Sequence, residues 1–204
     1  MITSCTSDET TMSYHHILDE QERRELLRIA RATLTEYLDS GLIPPGKPHK
    51  KSLLEPAGAF VTLKTGTGDL RGCIGTFAAA RPIYATIQDM AVAAATSDPR
   101  FPPVTLDELG HLSIEISLLS GLEPIRPEDV VVGEHGLAIS LEGARGVLLP
   151  QVPLEWGWDR ETFLEQVCFK AGLPRDAYRN PAARLEAFTA QVFSEDDFAL
   201  ENGA

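Results

Sequence analysis

Within residues 111–120, the seven residues 112–118 alternate strictly between apolar and polar residues. Successive side chains of a β-strand point to opposite faces of its sheet, so this pattern predicts a strand with one buried face and one polar face. A sheet that contains such a strand must pack one side against other elements. The apolar positions are Leu112, Ile114, Ile116 and Leu118, and the polar positions are Ser113, Glu115 and Ser117.

The rest of the chain gives two passes of the same order of elements: strand, strand, helix and strand. A helix with the capping pattern "DEQE" precedes the first pass, beginning at Asp19 and ending at Gly41. This order predicts an α+β fold with two subdomains, mainly antiparallel sheets and a cleft between them. The second pass contains a hairpin in residues 136–150, a helix in 158–173 and one final strand in 185–193.

The predicted domain organisation has three parts. Residues 1–16 are rich in Ser and Thr and lack apolar periodicity, which is typical of a flexible tail, and Met12 is an alternative start. Residues 17–124 form the first α+β subdomain. Residues 125–204 form the second subdomain and end in a short acidic tail.

The chain is strongly acidic, with 30 acidic and 18 basic residues and a formal net charge of −12. Such a surface repels phosphate backbones unless its basic side chains gather on one face. We therefore expect no nucleic-acid partner. The arginines of the first helix are interspersed with glutamates and are expected to form a solvated face. They are Arg23, Arg24, Arg28 and Arg31.

Three cysteines, Cys5, Cys73 and Cys168, make an odd count without metal-type spacing, which favours a reducing cytoplasm and predicts no metal site. Cys168 lies on the apolar stripe of its helix and is expected to be an inert core thiol. No apolar run approaches the roughly 18 residues of a membrane span, so no membrane association is expected.

The hexapeptide "LRGCIG", residues 70–75, contains the reactive-group candidate Cys73. Strand periodicity places Arg71 and Cys73 on one face, where a guanidinium would favour a thiolate. Gly72 and Gly75 would allow a ligand or another backbone to approach. The alternatives are a packed Cys73, glycines at a bulge, and an Arg71 that pairs with a structural carboxylate.

Four further residues are candidates for the same site. Glu115, on the polar face of its strand, could partner Arg71 or act as a general base, or could simply face solvent. His135 lies in a glycine-flanked turn and is either functional or an ordinary turn residue. Asp98 and Arg100 lie in the proline-rich loop "SDPRFPPV" and could border a pocket, or Asp98 could simply end the helix and Arg100 could be solvated.

Six sequence blocks, in order, resemble the AMMECR domain family, known in prokaryotes as AmmeMemoRadiSam system protein A. The resemblance extends from about Leu53 to Phe193. It implies an α+β domain with two subdomains and the hexapeptide near their cleft, and it implies no established activity. It adds Gln151, in the "LPQV" block, as a binding residue. The blocks are "LRGCIGTF", "DPRFPPV", "IEISLLS", "GEHGLAI", "GVLLPQV" and "FKAGLP".

The resemblance also implies partners, namely a Memo-like protein and a radical S-adenosylmethionine protein. This chain lacks an iron-sulfur cysteine triplet, so we predict no cofactor of its own. Our hypothesis is a thiol-centred cleft in which Cys73 is nucleophile or redox centre, Arg71 stabilises an anion, and Glu115 or His135 handles a proton. The alternative is a non-catalytic binding or adaptor module.

Overall fold

The computed structural model of the chain describes residues 17–199, which form two four-stranded antiparallel sheets and six α-helices. The predicted α+β class with antiparallel sheets is therefore confirmed. The predicted tail of residues 1–16, with Met12 and Cys5, and the last residues, 200–204, lie outside the described range. The helices are α1 (Glu20–Ser40), α2 (Ile83–Thr96), α3 (Leu106–Leu109), α4 (Gln151–Trp156), α5 (Arg160–Lys170) and α6 (Asp196–Ala199). The strands are β1 (Ala59–Thr65), β2 (Leu70–Thr76), β3 (Leu112–Leu119), β4 (Glu123–Pro124), β5 (Gly136–Leu141), β6 (Ala144–Leu148), β7 (Arg184–Phe188) and β8 (Ala190–Ser194).

Helix α1 begins and ends as the sequence pattern predicts. The Asp19 carboxylate accepts a hydrogen bond from the Glu22 N–H at 2.8 Å, and the Glu22 carboxylate accepts one from the Asp19 N–H at 2.7 Å. This reciprocal capping box satisfies two backbone donors that the helix cannot satisfy itself. Gly41 ends the helix in a left-handed conformation with φ of 75°, which glycine adopts at little cost.

Arg31 of α1 does not lie on a solvated face, which corrects the expectation for this residue. Its guanidinium pairs with Glu195 and donates to the carbonyl oxygens of Leu109 and Leu112 at 2.8 and 2.7 Å. Glu195 also accepts the Ile114 N–H at 2.9 Å. Arg31 thus fastens α1 to the segments at the start of β3 and the end of β8.

The first sheet has the strand order β2–β1–β3–β8. Its apolar face packs against α1 and α2, as the alternation in β3 predicts. Directly paired residues share this buried face, for example the row Ile74, Val61, Ile116 and Phe193 across the four strands. The opposite face carries the polar residues of the same strands.

The second sheet has the strand order β4–β7–β5–β6 and packs against α5. Strand β6 approaches this helix closely, because a Cβ atom added at Gly146 would lie 2.7 Å from the Val167 carbonyl oxygen. The β5–β6 hairpin turns through Glu142 and Gly143, which have φ of 50° and 87°. Such left-handed residues fit the twist of a tight hairpin.

The segment predicted as one final strand is two strands in different sheets. Strand β7 pairs with β5 in the second sheet, and β8 pairs with β3 in the first. Thr189 lies between them and exchanges hydrogen bonds with Ser120. Strand β4, before residue 125, belongs to the second sheet. Each sheet therefore contains residues from both sides of the predicted boundary between residues 124 and 125. The division into subdomains stays a prediction.

Across residues 17–199, no helix combines the length and the apolar character needed to cross a membrane.

Candidate functional site

The polar face of the first sheet carries a row of side chains that contains Cys73. Its Cα partner on β1 is Thr62, the partner of Thr62 on β3 is Glu115, and the partner of Glu115 on β8 is Ser194. Directly opposed residues in antiparallel strands share a face and lie about 4.5–5.5 Å apart. Thiol, hydroxyl, carboxylate and hydroxyl therefore follow one another across the sheet.

Cys73 lies on this face because its neighbour Gly72 faces the helix on the other side. A Cβ atom at Gly72 would lie 2.2 Å from the carbonyl oxygen of Ala94 in α2. The side chain of Cys73 is half-buried, and its Sγ accepts a hydrogen bond from Thr62 Oγ1 at 3.3 Å. The sulfur is therefore not enclosed in the apolar core beneath the sheet.

Asp98 and Arg100 together cap the backbone of Cys73 at the edge of the sheet. The Cys73 N–H donates to Asp98 Oδ2 at 2.8 Å, and Arg100 Nη2 donates to the Cys73 carbonyl oxygen at 3.4 Å. Arg100 also donates to Asp98 from Nε at 2.9 Å and from Nη2 at 2.7 Å. Since β2 is an edge strand, the pair takes the place of a neighbouring strand at this residue.

The Asp98–Arg100 pair is strongly coupled because the carboxylate is buried, with 2 % of its side chain exposed. Hydrogen bonds from the Arg100 guanidinium, and then from the Cys73 N–H, hold the pKa of Asp98 far below its usual range. The Asp98 carboxylate in turn raises the pKa of Arg100. Both groups therefore stay charged at neutral pH.

Arg71 lies at a β-bulge, between Leu70, which pairs with Lys64, and Gly72, which pairs with Leu63, so strict alternation is interrupted there. Its Nε and Nη2 donate to the Glu108 carboxylate at 2.5 and 3.0 Å, and its guanidinium lies 5.8 Å from the Phe101 ring centroid. The hydrogen bonds from Arg71 lower the pKa of Glu108. Arg71 Nη1 is buried with no partner among the described residues. The charge of Arg71 is thus balanced by a carboxylate rather than by the thiol.

Glu115 accepts a hydrogen bond from Lys64 Nζ at 2.7 Å. It is therefore held in an ion pair on the polar face, one strand further from Cys73 than Thr62 is. Sequence reasoning did not select Thr62 or Lys64. Their alternation with the apolar residues of β1 is the signal that could have identified them, because it places both on the face of Cys73.

His135 and Gln151 lie elsewhere. His135 Nδ1 accepts the Val131 N–H at 3.1 Å, and the ring borders a cavity of about 260 Å³ beside Ser120, Thr189 and Phe188. Gln151 is the first residue of α4, and its Oε1 is buried without a partner among residues 17–199. The structure thus brings Asp98 and Arg100 into contact with Cys73 and places Glu115 two strands away on the same face. Arg71 pairs with Glu108, and His135 borders another cavity.

Three aromatic rings lie between the polar face that carries Cys73 and the cavity that His135 borders. Phe77 packs edge-to-face against Phe60 at 5.3 Å and against Phe188 at 5.0 Å between ring centroids. A Cβ atom at Gly75 would lie 2.2 Å from the Phe60 ring, so this glycine allows the ring to cover β2. The space beside Gly75 is therefore occupied by a side chain of this protein, that of Phe60. In the described residues, no group of three or more His, Cys, Asp or Glu side chains could hold a metal ion.

The chain is thus an α+β domain with two antiparallel sheets and a thiol on the polar face of the first sheet. The AMMECR1 family model matches residues 27–193. The chain therefore belongs to the AMMECR1 family.

Relatives from archaea match most of the chain. A protein of Thermococcus gammatolerans is 42% identical over 182 residues, covering 84% of this chain and 89% of the relative. A protein of Methanothermobacter thermautotrophicus is 41% identical over 189 residues, covering 88% and 97%. The crystal structure of the uncharacterised protein PH0010 of Pyrococcus horikoshii superposes with a TM-score of 0.80 at 41% identity, covering 88% of this chain and 94% of that one.

Proposed function

We propose that the polar face of the first sheet is a binding cleft and that Cys73 is its reactive group, acting as nucleophile or redox centre on a small molecule or a modified side chain. The observation that carries the proposal is the hydrogen bond from Thr62 to the half-buried Cys73 sulfur. Hydrogen bonding to a thiolate stabilises its charged form, which is the nucleophilic form of cysteine.

The surrounding residues take separate roles in this proposal. Asp98 and Arg100 fix the backbone of Cys73, and Gly72 lets β2 lie against α2. Arg71 supports the adjoining edge through Glu108 and Phe101. These contacts hold the sulfur in place, and a rigid position favours reaction with a bound substrate.

Glu115 is the proposed proton-handling residue on this face. It is the cross-strand neighbour of Thr62, whereas His135 borders another cavity. Gln151 is the remaining proposed binding residue, because the Phe60 ring occupies the space beside Gly75. We also propose that the chain belongs to the AmmeMemoRadiSam system, with "LRGCIG" as its functional motif, and that it is located in the cytoplasm. Its proposed partners are a Memo-like protein and a radical S-adenosylmethionine protein. These proposals rest on the sequence.

Replacing Thr62 with valine tests the proposal, because this substitution removes the hydroxyl and nearly keeps the volume. A hydrogen bond to a charged group contributes about 1.5–3 kcal/mol, so the rate of Cys73 alkylation by iodoacetamide should fall about tenfold or more. The rate would be followed by peptide mass spectrometry of native protein in a Cys5→Ser background.

Thr62→Ser is the matched control, since it keeps the hydroxyl and should keep the rate within about twofold. An unchanged rate in Thr62→Val, with the fold intact by circular dichroism, would show that this hydroxyl does not activate the sulfur. Equal slowing in both variants would contradict the proposal as well.

A second candidate function, an adaptor module, is favoured by the exposed Trp156, whose residue surface is 70 % accessible. Under this alternative, Cys73→Ser should leave stability and co-purification with the Memo-like protein unchanged. The thiol proposal requires instead that the substitution abolish any activity of the reconstituted proteins. Retained activity in Cys73→Ser would favour the adaptor.

A further inference from the structure

The guanidinium of Arg100, beside Cys73, has donors that the protein itself does not use. Its Nε and Nη2 groups bind Asp98, and Nη2 also donates to the Cys73 carbonyl oxygen. Its Nη1 group forms no hydrogen bond within residues 17–199. Since each Nη group of arginine carries two N–H donors, and the Arg100 side chain is 54 % exposed, two donors remain for an acceptor from solvent.

This guanidinium is held in one position by its neighbours. The Asp98 carboxylate binds it through two nitrogen atoms, at 2.9 and 2.7 Å. Asp98 is itself held by the backbone N–H groups of Cys73 and Arg100, at 2.8 and 3.1 Å. An exposed arginine usually loses side-chain entropy when it binds an anion, and a guanidinium that is already held loses less. Arg100 is therefore preorganised for binding.

The contacts of Arg100 place its charge close to the Cys73 sulfur. The N–H and C=O groups of one strand residue point to the same edge, and both groups of Cys73 bind the Asp98–Arg100 pair. The hydrogen bond with Asp98 is the main cause of the raised pKa of Arg100, and the negative charges of Asp98 and Cys73 raise it further. The guanidinium and the sulfur are therefore close enough to interact electrostatically.

Arg100 is also the cation that a molecule arriving from solvent meets at this residue. Asp98 balances its charge, but the Asp98 side chain is only 2 % exposed, so the arriving molecule contacts the guanidinium and not the carboxylate. The cations of strands β1 and β2 are already paired with carboxylates of the protein. These ion pairs are Arg71–Glu108 and Lys64–Glu115.

We propose that the substrate of the Cys73 site carries a carboxylate, which Arg100 Nη1 binds beside the thiol. This inference rests on the proposed function and names the class of molecule on which the thiol acts. Charge-assisted hydrogen bonds between guanidinium and carboxylate are stronger than neutral ones, so Arg100 selects an anionic molecule over a neutral one. The formal charge of −12 otherwise repels anions, and binding therefore depends on this guanidinium.

Two alkylating reagents of nearly the same size test this inference on the full chain in a Cys5→Ser background. Iodoacetate carries a carboxylate and iodoacetamide a neutral amide, and the Cys73 thiolate displaces iodide from both. The ratio of the two rates is therefore independent of the fraction of thiolate and measures the preference for the anion. We expect Arg100→Gln to lower the ratio of the iodoacetate rate to the iodoacetamide rate about two- to fivefold, as loss of an exposed ion pair does. The difference from wild type should shrink as salt rises.

Arg126→Gln is the matched control for the loss of one positive charge. Arg126 also binds an aspartate, Asp129, through Nε and Nη2, but it lies between β4 and β5. Its substitution should leave the ratio unchanged. The double variant Asp98→Asn/Arg100→Gln leaves no buried charge unpaired and should lower the ratio as the single variant does.

Two results would overturn the inference while leaving the proposed function intact. One is a ratio equal to that of wild type in both Arg100 variants, with the fold intact by circular dichroism. The other is an equal fall in the ratio in Arg126→Gln. A Cys73 sulfur that reacts with neither reagent in the native protein would instead overturn the proposed function, and this inference with it.

Discussion

Gly72→Ala is expected to destabilise the protein by about 3 kcal/mol or more. The added Cβ would lie 2.2 Å from the Ala94 carbonyl oxygen and 3.2 Å from its carbonyl carbon. These are backbone atoms of α2, so no side-chain rotation relieves the clash, and β2 or α2 must move. For a chain of this size the loss corresponds to a fall in Tm of about 6–12 °C. Denaturant unfolding followed by circular dichroism measures the change.

Gly66→Ala provides the control for this prediction. Gly66 lies in the turn between β1 and β2, and a Cβ atom there would meet nothing within 4 Å. Its substitution should change the free energy of unfolding by less than about 0.5 kcal/mol. If Gly72→Ala were as stable as Gly66→Ala, β2 would not lie against α2 as described, and the face assigned to Cys73 would be wrong.

Asp98→Asn is expected to lower the free energy of unfolding at pH 7 by about 2–3 kcal/mol, because it leaves Arg100 without its charged partner and weakens the bond to the Cys73 N–H. The pKa of Asp98 is lowered in the folded protein, so its stabilisation is present above the unfolded-state pKa and is lost as pH falls. The stability difference between wild type and variant should therefore shrink below about pH 4.

Asp39→Asn is the control for Asp98, because Asp39 is an exposed aspartate in the last turn of α1. It should change the free energy of unfolding by less than about 0.5 kcal/mol at neutral pH. Urea unfolding at several pH values compares the three proteins. A difference between wild type and Asp98→Asn that does not narrow in acid would mean that the carboxylate is not stabilised by Arg100 and the Cys73 N–H.

Alternation along single strands made the first sheet predictable. The pattern in residues 112–118 distinguishes the buried from the polar face, and the hairpin of β1 and β2 has a strong turn between two runs of β-forming residues. The same reasoning could have identified Thr62 and Lys64, because they alternate with buried residues of β1. The positions of Cys73 and Glu115 on one polar face follow from this local information.

The split between β7 and β8 was not predictable from alternation. Residues 185–193 contain no glycine or proline and alternate in most positions, so the sequence indicates one strand. The chain changes sheets at Thr189 because the Ser120 N–H donates to the Thr189 carbonyl oxygen, and Ser120 Oγ accepts the Thr189 N–H. Those contacts join residues 69 positions apart, and no local pattern encodes them.

The contacts of Arg71 and Asp98 also could not be predicted from local sequence patterns. Arg71 pairs with Glu108, which is 37 residues away, and the Asp98 carboxylate meets the Cys73 N–H across 25 residues. Strand periodicity predicts Arg71 on the face of Cys73, but it reveals neither the bulge at Arg71 nor the Glu108 carboxylate that balances its charge. Which ion pairs form depends on how the loop after α2 and helix α3 fold back on the edge of β2.

The accessibility of the Cys73 sulfur is the central claim, and counting reactive thiols in the native protein tests it most directly. In a Cys5→Ser background, an aromatic disulfide reagent should titrate one thiol per native chain, because Cys168 is fully buried and burial raises its pKa. The second thiol should react only after unfolding, and Cys73→Ser should remove the native signal. A native protein in which neither thiol reacts would contradict the account.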